Sequence, residues 1–166
     1  METQAETAGA GTMRGGKYLT FDLGGEIYGI NILHVKEIIG IMDITPVPHA
    51  PPHIKGVLNL RGKILPVMDL RRKFGFEERP HDERTCIIVV EIAGAAGIPL
   101  IGIVVDSVSE VTHIAEGEIE PTPELGDPRT TEYIEGMAKL KEKVVILLNA
   151  AKVLSFAETR ELAGAA

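Results

Sequence analysis

The sequence has no tryptophan, and tyrosine and phenylalanine together make up 4% of its 166 residues. Aromatic faces on which unpaired bases could stack are therefore scarce. Positive charge is also in short supply, since the formal net charge is −7. Because an acidic chain is repelled by phosphate groups, this composition disfavours nucleic-acid binding and attachment to anionic membranes.

Cysteine occurs once, at Cys86, which excludes an intramolecular disulfide and fits a reducing compartment. We expect Cys86 to be a buried, inert thiol. The longest apolar run, residues 98–105, contains proline and glycine and is far shorter than the roughly 20 residues that span a bilayer. Residues 1–16 lack the features of a signal peptide. We therefore predict a cytoplasmic protein without direct membrane insertion, with a disordered tail at residues 1–16 and a C-terminal tail at residues 157–166.

Sequence motifs for catalysis are missing. There is no glycine-rich phosphate loop and no GxSxG nucleophile motif. The i,i+4 spacing of His49 and His53 would serve a metal only on a helix, and two prolines stand between them. Asp69 and Asp106 could be imagined as an acid–base pair, but we favour two strand-end residues that bond their own loop backbone. We predict no catalytic residues, no metal site and no cofactor.

Short apolar runs separated by turn residues fill the chain and predict roughly nine or ten short strands, a pattern typical of an all-β sandwich or small barrels. Three hairpins are predicted. They cover residues 18–30, 54–70 and 133–149 and turn at Gly24-Gly25, at Asn59–Lys63 and at Lys141–Lys143.

Other segments receive shorter predictions. A short helix is expected after Asn31, and residues 150–162 have helical composition. Residues 94–97 should form a turn and residues 116–129 a surface loop. The strand at residues 98–106 is expected to continue in the same sheet as residues 108–114.

The segment from Ile44 to Leu70 is the most informative. Four prolines in its first nine residues predict a stiff, extended connector. The hairpin that follows presents Arg61 at its turn, where a guanidinium could pair and stack with a partner. The residues alone leave open whether Arg61 is a recognition group or a solvated turn residue. Arg71-Arg72-Lys73 is interpreted as a short helix with a solvated face.

Glu37 also has two interpretations. It could be a solvent-facing residue of a half-buried element, or part of a charged rim around an apolar contact made by Val35 and Ile38.

Five segments in order resemble the CheW family of chemotaxis coupling proteins. They are residues 35–38 (VKEI), 44–51 (ITPVPHAP), 54–62 (IKGVLNLRG), 65–71 (LPVMDLR) and 102–106 (GIVVD). The likeness extends from Tyr18 to Phe156.

This resemblance implies a mostly β fold with two intertwined five-stranded SH3-like β-barrel subdomains, a few short helices and a groove between the barrels. Residues 17–156 would be a single domain. The first barrel would take about residues 17–80 and 144–152, and the second about residues 81–143.

The resemblance also implies a non-enzymatic adaptor that joins the cytoplasmic tip of chemoreceptors to the regulatory domain of the histidine kinase CheA, in receptor arrays at the inner face of the membrane. A CheW-like adaptor of a related pathway, such as pilus motility or development, is the alternative. A small β-barrel nucleic-acid binder and a small hydrolase are disfavoured by the charge and by the lack of a nucleophile–base arrangement.

When residue roles are carried over position by position, the resemblance implies two binding surfaces. Receptor binding would use Val35, Glu37, Ile38, Gly56, Asn59, Arg61, Val105 and Val108. Kinase binding would use Ile44, Thr45 and Val47.

Overall fold

Eleven strands make up most of the part of the chain that the computed structural model describes, which is residues 15–91, 100–123 and 132–154. The strands are β1 Gly16–Leu23, β2 Glu26–Asn31, β3 Val35–Gly40, β4 Ile54–Leu60, β5 Lys63–Asp69, β6 Cys86–Glu91, β7 Leu100–Val105, β8 Ser107–Ile114, β9 Ile119–Glu120, β10 Ile134–Leu140 and β11 Lys143–Leu148. Short α-helices directly follow two of these strands, α1 Leu70–Lys73 after β5 and α2 Ala150–Val153 after β11. Within the same ranges, 3-10 turns lie at Ile32–His34 and Glu116–Glu118.

The strands form two sheets. The terminal sheet has the order β8-β1-β2-β11-β10-β9, and the central sheet has the order β3-β6-β7-β5-β4. Neighbouring strands are antiparallel except for the parallel pairs β2–β11 and β5–β7. The mostly β fold with two β subdomains and few short helices is confirmed, although the terminal sheet gains a sixth strand from the two residues of β9.

The strands divide between the sheets differently from the predicted barrels. The prediction grouped β3, β4 and β5 with the N-terminal hairpin, but these strands share the central sheet with β6 and β7. It also grouped β8 and β10 with β6 and β7, but they lie in the terminal sheet. The chain crosses between sheets at the 3-10 turn Ile32–His34 and again at Asp106, which alone separates β7 from β8. Residues 98–106 and 108–114 were expected to continue within one sheet, and this expectation was wrong. Nothing in the sequence indicated the crossing, because a single residue between two strands has none of the turn residues that mark a loop.

The three predicted hairpins are confirmed, and their turns explain why. Each turn has two successive residues with positive φ, the requirement of a type I′ turn that follows the natural strand twist. The φ values are 62° and 87° at Gly24 and Gly25, 51° and 91° at Arg61 and Gly62, and 51° and 69° at Lys141-Glu142.

A shared core lies between the sheets, and each sheet also has a core of its own. Strand β6 shows the alternation that produces this arrangement: Ile88 and Val90 enter the shared core, while Ile87 and Val89 enter the core of the central sheet. The shared core takes Leu19, Phe21 and Ile30 from the terminal sheet and Met68, Ile103 and Val105 from the central sheet, among others. Its continuity across both sheets makes them one folding unit.

Several local expectations need correction. Cys86 is half-buried rather than buried, and its thiol donates to the carbonyl of Arg84 at 3.3 Å. The predicted N-terminal tail is too long by at least one residue, because Gly16 begins β1. Residues 116–120 form a 3-10 turn and β9 instead of a loop. The prediction for residues 94–97 falls outside the described residues, as do residues 1–14, 124–131 and 155–166.

In the described ranges, no helix is long and apolar enough to cross a membrane.

The shared core should dominate stability. Ile88 is 0% exposed within it, whereas Ile64, an isoleucine on β5, is 65% exposed. We expect Ile88→Ala to lower the free energy of unfolding by about 2–5 kcal/mol, through lost burial and a cavity. Ile64→Ala should change it by less than about 0.5 kcal/mol. Urea unfolding measures both, and equal losses would contradict this assignment of the core.

Candidate protein-interaction site

An ion pair joins the two edges of the central sheet. Strands β3 and β4 lie at opposite ends of its strand order. Nevertheless, the guanidinium of Arg61, in the turn after β4, donates to the carboxylate of Glu37 on β3. The sheet must therefore curl until its edges approach one another at this end. The structure thus brings together the two charged residues assigned to receptor binding, with Arg61 exposed and Glu37 half-buried.

The turn itself fixes the position of Arg61. The side-chain oxygen of Asn59 accepts a hydrogen bond from the backbone N–H of Gly62 at 2.8 Å. Asn59 is exposed, but this oxygen is engaged within the turn, so its clearest role is to hold the backbone. The turn fixes the backbone of Arg61, and its exposed side chain reaches across to Glu37.

The three β3 residues assigned to receptor binding are split between two faces. Val35 lies opposite Val90 and Ile38 opposite Ile88, and both partners belong to the shared core. Directly opposed residues share a sheet face. Val35 and Ile38 therefore point toward the shared core, where Ile38 remains 42% exposed. A register shift between Val35 and Glu37 turns Glu37 to the other face, toward Arg61.

Strand β8 shows the same pattern at the edge of the terminal sheet. Val108 lies opposite Phe21 and Val111 opposite Leu19, and both partners belong to the shared core. Val108 is half-buried, and Val111 is 51% exposed. We call Val35, Ile38, Val108 and Val111 the margin patch, because each lies on the shared-core face of an edge strand.

Sequence reasoning missed Val111. Its spacing of three from Val108 does not fit the alternation of a regular strand, so the two valines were not placed on one face. The register shift between Thr20 and Phe21 on β1 leaves one extra residue in β8 between the two valines, so both lie on the same face.

Two residues assigned to receptor binding are not on the surface. Val105 is 1% exposed and packs in the shared core. Gly56 is buried under the segment that follows β3, and a Cβ added there would lie 2.1 Å from the carbonyl oxygen of Thr45. Its φ of 152° also disfavours other residues. Both residues support the neighbouring surface and are not presented to a partner.

The residues assigned to kinase binding lie along the free edge of β4. Thr45 and Val57 exchange two backbone hydrogen bonds of 2.8 and 2.9 Å. Ile44 packs against the core of the central sheet, and Val47 packs against the shared core. Thr45 is exposed between them. This connector is held by backbone pairing on one side and by two apolar anchors, so its outer side presents a defined shape.

The acidic pair considered for catalysis is engaged by cations. Asp69 accepts from the backbone N–H of Arg71 at 2.9 Å, as expected of a strand-end residue. Asp106 instead accepts from Gly24 of another turn and from Arg71, so the expected bond to its own loop was wrong. Arg71 was expected to be solvated, but its side chain is largely buried against Asp106. A small cleft lies between the two carboxylates and is lined also by Arg79, with room for about one water molecule.

Two described groups have shifted pKa values, and neither lies in the assigned surfaces. Burial, aided by the charge of Glu26, raises the pKa of the Tyr28 phenol. The backbone N–H of Arg84 and the side chain of Arg79 hold the pKa of Asp82 below its usual value. Both shifts favour the form that each group already has at neutral pH, so neither shift brings a change of charge near pH 7. No cluster of three or more His, Cys, Asp or Glu side chains in the described ranges could hold a metal ion.

Comparisons with known proteins show which chains and structures this protein is similar to. Residues 17–158 match the family model of the CheW-like domain. The chain is 43% identical to the chemotaxis protein CheW of Klebsiella aerogenes, over 90% of this chain and 87% of that protein. It is 31% identical to the protein FrzA of Myxococcus xanthus, over 89% of this chain and 90% of FrzA. The crystal structure of the scaffolding protein TtCheW from Thermoanaerobacter tengcongensis superposes with a TM-score of 0.75 at 38% identity, covering 85% of this chain and 88% of that one.

The close contact at Gly56 yields a prediction. Gly56→Ala should push the Thr45 connector off β4, destabilise the fold by about 1–3 kcal/mol and speed amide hydrogen exchange at Thr45 and Val57. Gly40→Ala is the control, because a Cβ at Gly40 meets nothing within 4 Å. Unchanged exchange at both amides in Gly56→Ala would contradict the proposed packing.

Proposed function

Because the chain belongs to the CheW-like domain family, we propose that it joins the cytoplasmic tip of chemoreceptors to the regulatory domain of the histidine kinase CheA. The chain is a chemotaxis scaffold protein, as its family membership establishes. It acts as a non-enzymatic adaptor in the cytoplasm, where it is recruited to receptor arrays at the inner face of the membrane.

The Glu37–Arg61 pair is the observation that carries the proposal for the receptor surface. An exposed arginine on a fixed turn offers a planar donor group at a defined position, and its carboxylate partner sets the orientation of that group. Charged groups of this kind govern which partner is accepted more than how tightly it binds. The pair therefore supplies specificity.

The margin patch supplies apolar contact area. Val35 and Ile38 at one edge and Val108 and Val111 at the other expose apolar surface beside the shared core. A helical partner with apolar residues on one face could bury this surface, as in other helix-in-groove contacts. Val105 and Gly56 act beneath the surface by supporting these strands and the connector.

The proposed CheA surface is the connector at Ile44, Thr45 and Val47. It lies on an edge of the central sheet and is anchored at both ends by apolar side chains. Because receptor and kinase then use different surfaces, one molecule can bind both at the same time. Control of the kinase by the receptor requires that their contacts differ between signalling states.

A second candidate function has one observation in its favour. The identity to FrzA of Myxococcus xanthus, 31%, is close to the 30% identity to the chemotaxis protein CheW of Treponema pallidum. An adaptor of a related chemosensory pathway, such as pilus motility or development, would use the same surfaces with different receptors. Gene deletion followed by swimming and surface-motility assays would separate the two candidates.

Arg61→Ala tests the proposed site. It removes the guanidinium from an exposed turn, so we expect the free energy of unfolding to change by less than about 1 kcal/mol. Affinity for a receptor-tip fragment should fall by about tenfold, the size of a typical hot-spot loss. Titration calorimetry with the fragment measures the affinity.

Lys63→Ala is the matched control, since Lys63 is an exposed cation two residues along the same hairpin. It should bind the fragment nearly as well as the unaltered chain. If Arg61→Ala binds both the receptor fragment and the CheA domain normally, Arg61 is not a recognition residue.

A further inference from the structure

A partly buried polar node lies where the chain crosses between its two sheets. Asp106 is the single residue between β7 of the central sheet and β8 of the terminal sheet. Its backbone N–H donates to the carbonyl of Asp22 on β1 at 3.1 Å. The hydroxyl of the next residue, Ser107, donates to the carboxylate of Asp22 at 2.8 Å. The crossing is thereby fixed to the end of β1.

One carboxylate oxygen of Asp106 links three further segments. It accepts from the backbone N–H of Gly24 at 2.9 Å, from Arg71 Nη1 at 2.8 Å and from Arg79 Nη1 at 3.3 Å. Gly24 belongs to the turn between β1 and β2 in the terminal sheet. Arg71 belongs to α1, which directly follows β5 of the central sheet. The Arg71–Asp106 pair therefore connects the two sheets through side chains as well as along the chain.

Arg71 is held in place for this contact. Its Nε donates to the carbonyl of Glu77 at 2.9 Å, and its guanidinium carbon lies 6.0 Å from the centre of the Phe76 ring. The side chains of Arg71 and Asp106 are only 16% and 11% exposed. Ion pairs are screened less when water is excluded. Without Arg71, Asp106 would keep only the Gly24 N–H and the longer, more exposed contact to Arg79 at 3.3 Å.

The node adds a directional constraint that the shared core lacks. Apolar burial depends on area and not on orientation, so the core alone permits small rotations of one sheet over the other. Charge-assisted hydrogen bonds have preferred distances and angles. A node that joins α1, the β1–β2 turn and the β7–β8 crossing restricts this rotation.

The two proposed surfaces depend on sheet orientation to different degrees. The margin patch draws Val35 and Ile38 from the central sheet and Val108 and Val111 from the terminal sheet. The connector at residues 44–47 pairs with β4 and thus with the central sheet. A rotation between the sheets would distort the first surface and largely spare the second.

We infer that Arg71, acting through Asp106, is a positioning residue that fixes the orientation of the two sheets and thereby shapes the surface bound by the receptor. This inference rests on the proposed function for its binding consequence, but the orientation itself can be measured without any partner. Arg71 itself lies outside both the proposed receptor surface and the proposed CheA surface.

Arg71→Gln in the full chain tests the inference, with Arg72→Gln as the matched control. Arg72 lies on the same helix but outside the node: its side chain is 30% exposed, pairs at 2.8 Å with Glu78 and donates to the carbonyl of Pro52 at 3.0 Å. For Arg71→Gln we expect affinity for the receptor-tip fragment to fall about tenfold and affinity for the CheA regulatory domain to stay within about twofold. Arg72→Gln should leave both affinities within about twofold.

Backbone residual dipolar couplings of the free protein give the second readout. In the unaltered chain and in Arg72→Gln, the couplings of both sheets should fit the orientation described here as one rigid body. In Arg71→Gln, each sheet should fit separately while the joint fit fails. Asp106→Asn should behave in the same way as Arg71→Gln. It removes the charge but keeps an oxygen that can accept from Gly24, so the β1–β2 turn stays bonded and a simple folding defect is avoided.

Two results would overturn the inference. Unchanged joint couplings in Arg71→Gln would show that the node does not set the orientation, whatever the proteins bind. Equal loss of receptor and CheA affinity would indicate general damage to the fold. If the joint fit fails in Arg71→Gln but the unaltered chain binds no receptor fragment, the orienting role stands and the proposed function is wrong.

Discussion

The apolar core shared by the two sheets is the constraint on which the rest of the structure depends. Buried residues from seven strands and from both α1 and α2 enter it, so neither sheet can bury its inner face without the other. The chain also crosses between the sheets twice, which prevents the two halves of the sequence from folding separately. The margin patch exists because edge strands β3 and β8 carry shared-core residues that the opposite sheet does not fully cover. The same packing that stabilises the fold thus leaves an apolar surface at its margin.

Directional polar contacts supplement the shared apolar core and fix the local geometry at two places. The turn at Asn59–Lys63 holds Arg61 beside Glu37 and brings the edges of the central sheet together. Asp106 gathers donors from both sheets where the chain crosses. Each contact is directional, whereas apolar packing is not. A scaffold acts through geometry alone, so we regard these directional contacts as the basis of its specificity.

The sequence allowed prediction wherever local chemistry decides the structure. The glycine-containing turns predicted two hairpins. The proline-rich connector was expected to be extended, and it is so only where Thr45 pairs with Val57, because the chain then turns at Pro48-His49 and again before β4. Which sheet a strand joins depends on pairing with strands far away in the sequence. The crossing at Asp106 has no loop residues from which it could have been predicted. Register shifts hid Val111 and separated Glu37 from its neighbours. The resemblance assigned binding roles by position in the sequence and carried no information about burial. Gly56 and Val105, which are buried, were therefore assigned to a surface that they support from beneath. Charge alone suggested a solvated Arg71, because nothing local indicates a buried carboxylate 35 residues away.

We propose that this chain transmits the state of a receptor to a kinase by holding the two together. Phosphate incorporation into CheA is the most direct measurement, with purified kinase, receptor-containing vesicles and added chain in defined amounts. We expect the chain to change CheA autophosphorylation only when receptor is present, and attractant then to reverse the change. Identical CheA autophosphorylation with and without the chain, in the presence of receptor, would show that the chain does not couple the two.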